Sequence, residues 1–130
     1  MSCPAYFPAF IKNPERIPQI QFPDNVWVGT TVTNENGDWK NVEEIKKVDA
    51  KVRFVSFEPL LGPLPDSVCL DSLQWVIVGK LTGSRRVQLD SYWISHIKNE
   101  AHRHNIPIFI KNNILNECLD IPKIQEFPRA

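Results

Sequence analysis

The residues best suited to chemistry sit just behind short apolar runs. Glu58 stands in the segment SFEP at 56–59, at the mouth of one run and directly before a proline that stops it. A carboxylate so placed reads as a general base, a ligand for a substrate ammonium, or half of a structural pair with a Lys or Arg. Lys111 closes another run in FIKN, 109–112. Desolvated, such a lysine is a Schiff-base nucleophile; charged, it is an ion-pair partner. The segment GKLTGSRR at 79–86 combines Gly79 and Gly83, which permit close backbone approach, with Lys80, Arg85 and Arg86. It suits a carboxylate or a phosphate, or it is a glycine turn with solvated arginines. A Walker P-loop is excluded, because here the lysine follows the first glycine.

Metal chemistry has less support. Cys3, Cys69 and Cys118 are odd in number and widely spaced, with no Cys-x-x-Cys. That spacing argues against a disulfide framework, fits a reducing compartment and points to no metal site. His96, His102 and His104 offer no His–His pair at i, i+4, so they read as solvated surface residues. Trp27 and Trp75 lie inside apolar runs and are expected in the core rather than in a stacking groove.

The elements that must position these residues are short. Apolar, β-branched runs occupy 26–32 (VWVGTTV), 52–57 (VRFVSF), 75–78 (WVIV) and 106–110 (IPIFI), with a weaker one at 7–11. Their lack of strict alternation suits strands buried on both faces of a parallel sheet. Asn41-Val-Glu-Glu44 has the form of a capping box, and Val42, Ile45 and Val48 then share a helix face. Asp90 is the expected N-cap of a longer helix carrying Ile94, Ile97 and Ala101, with Asn105 closing it. A short turn begins at Asn13 with Pro14 in first helical position. Residues 113–118 suit one more turn, and 121–128 an extended strap. The proline-rich stretch 59–73 is too short for a full helix.

The resulting order, β-α-β-α-β-loop-β-α-β-α, argues an α/β fold of about five parallel strands with right-handed crossovers. In such sheets ligands bind at the strand carboxyl ends. The residues expected on that rim are Lys12 and Asn13, Thr31, Thr33 and Asn34, Ser56 and Glu58, Gly79, Lys80, Thr82 and Gly83, and Lys111 and Asn112. At 130 residues, with 42% hydrophobic and 23% charged residues, the chain is one folded domain at most. Fifteen basic residues balance fifteen acidic ones, which removes the electrostatic case for a nucleic-acid or membrane-surface binder. No run approaches the roughly 18 apolar residues of a spanning helix, and the first ten residues do not form a signal peptide. A cytoplasmic location is expected.

Six blocks, in order, resemble a known family. They are KNPER (12–16), NVWVGTTVTN (25–34), VRFVSFEPLLGPL (52–64), WVIVG (75–79) with Thr82 and Gly83, IPIFIKN (106–112) and IQEFP (124–128). The sequence is similar to a phage-associated family of unknown function whose members resemble radical S-adenosylmethionine (SAM) enzymes. The resemblance spans about residues 7–128, and the 52–64 block is its most specific part. It implies a partial (β/α) barrel of TIM type with its site at the strand carboxyl ends. Longer members begin with a cysteine-rich segment that looks like a [4Fe–4S] ligand loop, followed by a further strand. Residues 1–130 therefore resemble the carboxyl-terminal, five-strand portion of an incomplete barrel domain, without the cluster-binding part.

On this resemblance the chain itself binds no cluster, while the complete fold implies SAM and a [4Fe–4S] cluster. Glu58 and Lys111 are then the expected catalytic groups. Thr31, Thr33, Asn34 and Ser56 are expected SAM contacts. Lys12, Asn13, Lys80, Thr82, Gly83, Arg85 and Asn112 are expected substrate contacts. The expected partners are a small molecule and a separate amino-terminal part or a second copy that covers the exposed sheet edge. Two further readings stand beside this one: a non-catalytic ligand-binding or assembly subunit, and a metal-free lyase with a Schiff base on Lys111.

Overall fold

A computed structural model of the chain describes residues 7–16, 21–80 and 88–129. Five strands form one parallel sheet: β1 (Phe7–Phe10), β2 (Val26–Thr31), β3 (Val52–Phe57), β4 (Trp75–Val78) and β5 (Ile108–Ile110). Their order in the sheet is their order in the chain. Each strand therefore adds to the same side of its predecessor, and the all-parallel sheet with interspersed helices is the α/β class expected. A 3-10 turn at Pro14–Arg16 follows β1, helix α1 (Lys40–Ile45) joins β2 to β3, α2 (Ser91–Arg103) joins β4 to β5, and α3 (Asn112–Leu115) follows β5. No helix among the described residues is long and apolar enough to cross a membrane.

All these connections lie on one face. Val28, Val55, Val76, Val78, Ile108 and Ile110 of the sheet pack with Val42 and Ile45 of α1, Ile94, Ile97 and Ala101 of α2, and Leu60, Leu64, Leu70 and Leu73 of the β3–β4 loop. Each fully buried Val, Leu or Ile contributes about 1.5–3 kcal/mol. The opposite face is aromatic: Trp27, Phe54 and Trp75 are buried there, with Phe109 beside them. Phe54 leaves no room for a side chain across the ladder. A Cβ on Gly29 would stand 2.4 Å from the Phe54 ring.

The two edges differ. At β5 the strap lies antiparallel: Ile110 N–H donates to the Ile124 carbonyl and Glu126 N–H to that of Ile108. Phe127 then packs on Trp75 and Phe109. At β1, Phe7 is 67% and Phe10 58% exposed, and among the described residues no backbone pairs with the outer edge.

One local expectation is corrected. Asn41 is not an N-cap: α1 begins at Lys40, its N-cap is Trp39 with no side-chain bond, and Asn41 is buried inside the helix. The turn Asn34–Asp38 winds the chain into the helix before Asn41 is reached, so its side chain cannot serve as a cap. Asp90, by contrast, caps α2 by accepting from Tyr92 N–H, and Asn105 ends that helix at a positive φ of 57°. The strand at 106–110 starts later than its pattern suggests, at Ile108, because Pro107 has no N–H for the ladder.

Candidate functional site

Registration of the strands sets the site. On the aromatic face, Phe10, Gly29, Phe54 and Trp75 form one row across the sheet. Two residues further on, Thr31, Ser56, Ile77 and Phe109 form the next. The ladder continues past the strand ends, with Gly79 N–H on the Phe57 carbonyl and Lys111 N–H on that of Val78. With side chains alternating in period two, the third row is Glu58, Gly79 and Lys111.

In that third row the Glu58 carboxylate reaches over Gly79 to the Lys111 ammonium. Lys111 Nζ lies 2.7 Å from Oε1 and 2.9 Å from Oε2. A Cβ on Gly79 would stand 2.8 Å from Glu58 Cδ, so only glycine leaves the carboxylate this path. Ser56 Oγ lies below, 3.5 Å from Glu58 Oε1. The pair is open to solvent, with the Lys111 side chain 41% and the Glu58 side chain 30% exposed. An open ion pair of this kind contributes only about 0–1 kcal/mol to stability. It leaves both groups available to a ligand.

The other expected rim residues separate into neighbours and anchors. Thr31 is exposed and in register with Ser56, so it shares the rim. Thr33 and Asn34 act as anchors: Asp38 accepts from Thr33 N–H and Oγ1, both at 2.6 Å, and from Asn34 N–H at 2.8 Å. Asn34 also donates to the Gly62 carbonyl and holds a left-handed φ of 62°, which asparagine tolerates. Lys80 is turned to α3, pairing with Glu117 at 2.7 Å. Asn112 accepts from Gln125 of the strap. Lys12 and Asn13 are exposed behind β1. Thr82, Gly83, Arg85 and Arg86 lie outside the described residues.

Asp38 was not anticipated. Its only sequence signal is a carboxylate four residues after Asn34 in a glycine-containing turn, a weak one. Gly79 was placed at the rim, but as part of an anion loop rather than as the gap under Glu58.

An iron–sulfur cluster does not fit the described thiols. Cys118 is packed in the core, where burial pushes its thiol pKa up, and Cys69 lies apart from it beside His104. Cluster ligands must converge on one point as thiolates. An open groove of about 810 Å³ lies at the other end of the sheet, lined by Gln74, His102, Pro107, Glu126 and Phe127. Two of its polar groups are already engaged: Glu126 accepts from Ile108 N–H and meets His102 at 3.2 Å. The carboxyl-end rim, where the solvent-open Glu58–Lys111 pair stands in the place that parallel sheets use for ligands, is the stronger candidate.

The family described as "Protein of unknown function (DUF5131)" matches residues 5–115. No curated protein and no solved structure matches the chain. The match takes in all five strands, the Asp38 turn and the whole Glu58–Gly79–Lys111 row, and leaves residues 1–4 and 116–130, the strap among them, outside it. The chain therefore belongs to the DUF5131 family, whose function is unknown.

Proposed function

We propose that the chain is the carboxyl-terminal portion of a radical-SAM-like protein and that its rim holds the amino-acid end of SAM or of a zwitterionic substrate. The observation that carries this reading is the Glu58 carboxylate lying over Gly79 against Lys111. A ligand with an ammonium and a carboxylate can replace each half of that pair by its own opposite charge. Glu58 then holds the ammonium and Lys111 the carboxylate. Thr31, one row below and exposed, offers its hydroxyl to the same ligand, while the neighbouring Ser56 is buried and donates to Glu58. SAM supplies, when bound, an activated sulfonium. The chain's own residues contribute binding and orientation, and the cysteines described here contribute no cluster.

Calorimetric titration of the chain with SAM tests the reading. Saturable binding, weakened about tenfold or more in both Glu58→Gln and Lys111→Met, is expected. Binding that neither substitution changes would remove the rim from the reading, and absence of binding would remove SAM.

A second reading, a non-catalytic assembly subunit, draws support from the exposed Phe7 and Phe10 on β1. Light scattering that gives an obligate oligomer, or a stable complex with a separate amino-terminal part, would favour it. The lyase reading of Lys111 has less support, because an ammonium held by Glu58 carries no free electron pair for attack. Borohydride trapping that is lost in Lys111→Ala would restore it.

A further inference from the structure

Away from the rim, the described residues hold a second constellation of donor groups. Cys69 lies in the loop that leads into β4, while Glu100 is on the last turn of α2 and His104 is its C-cap. Glu100 and His104 are i, i+4, so one helix face presents both. His104 Nε2 stands 3.4 Å from Cys69 Sγ and 3.7 Å from Glu100 Oε2. All three donor atoms lie within 4.8 Å of one another.

Hydrogen bonding does not satisfy this arrangement. The Cys69 thiol can donate to Nε2 or to the neighbouring Asp71 carboxylate, or accept from an Nε2–H, but the contact from Nε2 to Glu100 is beyond bonding reach in every case. Glu100 Oε1 meets Arg103 Nη2 at 3.2 Å, but Oε2 is left buried with no hydrogen-bond partner. A buried carboxylate oxygen without a partner is costly, and such an atom needs an explanation.

The spacing suits a metal ion instead. With Zn–S of about 2.3 Å and Zn–N and Zn–O of about 2.1 Å, a tetrahedral ion sets S···N at about 3.6 Å and N···O at about 3.4 Å. The observed separations, 3.4 Å and 3.7 Å, are within a few tenths of these. The surroundings also brace the loop. Lys46 Nζ donates to the Cys69 carbonyl and to Asp71, both at 2.8 Å, and its charge is answered by Asp71 and Glu43.

We infer that Cys69, Glu100 and His104 form a site for a borderline-soft divalent cation such as zinc, with water in the fourth position. One thiolate, one imidazole and one carboxylate make a donor set that selects against magnesium and calcium. Binding requires the Cys69 proton to leave to solvent and the His104 proton to reside on Nδ1, so that Nε2 offers its lone pair.

The full-length chain, reduced and stripped of metal, should be titrated with Co²⁺ and then with Zn²⁺. One Co²⁺ per chain is expected, with thiolate-to-cobalt charge-transfer absorption that Zn²⁺ abolishes by displacement. Cys69→Ser should lose that absorption. Glu100→Gln and His104→Gln should weaken Co²⁺ binding by more than the roughly 10–100-fold that loss of a mere outer-shell partner costs. Zn²⁺ should raise the unfolding midpoint of the unmodified chain and leave that of Cys69→Ser unchanged. Should Cys69→Ser fail to fold, the double variant Cys3→Ser/Cys118→Ser decides, because Cys69 is then its only thiol. The absorption must persist there. No charge-transfer band in the unmodified chain, a band that survives in folded Cys69→Ser, or a band lost in the double variant would overturn the site.

Discussion

The two clusters of charged side chains differ in how completely they are satisfied. At the carboxyl-end rim, Glu58 and Lys111 are opposite charges that answer each other, with a glycine clearing the path between them. Beside the C-terminal end of α2, Cys69, Glu100 and His104 are electron-pair donors turned toward one another, and one carboxylate oxygen has no partner. A solvent-open pair is matched by a ligand that brings both charges. An unsatisfied donor set is completed by a cation. The same sheet and helices thus present two clusters of opposite character, and burial accentuates the difference: the rim pair is open to water, while the Glu100 oxygen without a hydrogen bond is not.

The largest expected effect tests the support of the donor cluster. Ile97 is fully buried on α2, the helix that carries Glu100 and His104. Ile97→Ala should cost about 2–5 kcal/mol in urea denaturation. A loss under about 1 kcal/mol would mean that α2 is not anchored as described. Next is Asp38→Ala, which removes the acceptor for three donors behind β2. A loss of about 1–3 kcal/mol is expected. If stability is unchanged but SAM binding disappears, Thr33 and Asn34 are ligand contacts rather than anchors.

Gly79→Ala separates geometry from stability at the rim. The added Cβ meets the flexible end of Glu58, which can swing into solvent, so the melt should change by no more than about 1 kcal/mol. Ligand binding should nevertheless fall as in Glu58→Gln; undiminished binding would show that the cradle is incidental. The smallest effects are the most direct comparison. Lys111→Met should destabilise by about 0–1 kcal/mol, since the pair is exposed. Glu100→Gln, measured without metal, should change stability by no more than about 1 kcal/mol, because the exposed Arg103 partner of Oε1 is worth little and Oε2 has no hydrogen bond to lose. A clear loss in metal-free Glu100→Gln would mean that the cluster is already satisfied and would weaken the contrast.

Much of the scaffold was legible in the residues. The runs at 52–57 and 75–78 became β3 and β4 at those bounds, and Asp90, Ile94, Ile97, Ala101 and Asn105 took the cap, core and closing positions foreseen for α2. Buried β-branched runs and capping side chains act within a few residues of themselves, so local sequence carries them. Asn41 misled because a capping-box pattern is shared by many helix interiors. Only the preceding Asp38-bound turn, a contact across five residues, decided where α1 begins.

The sites divide along the same line. Sequence alone placed Glu58, Ser56, Thr31 and Lys111 behind strands, and a parallel sheet of consecutive strands brings strand ends to one rim by topology. It did not determine that Glu58 pairs with Lys111, 53 residues away, or that Thr33 and Lys80 turn to Asp38 and Glu117 instead. Nor did it join Cys69 to His104, 35 residues apart, because the i, i+4 partner of His104 is Glu100 rather than a second histidine. Periodicity and capping are short-range and recorded in the order of residues. Which charged side chains meet depends on strand register and on the space a missing Cβ leaves at Gly79, and those exist only once the sheet has formed.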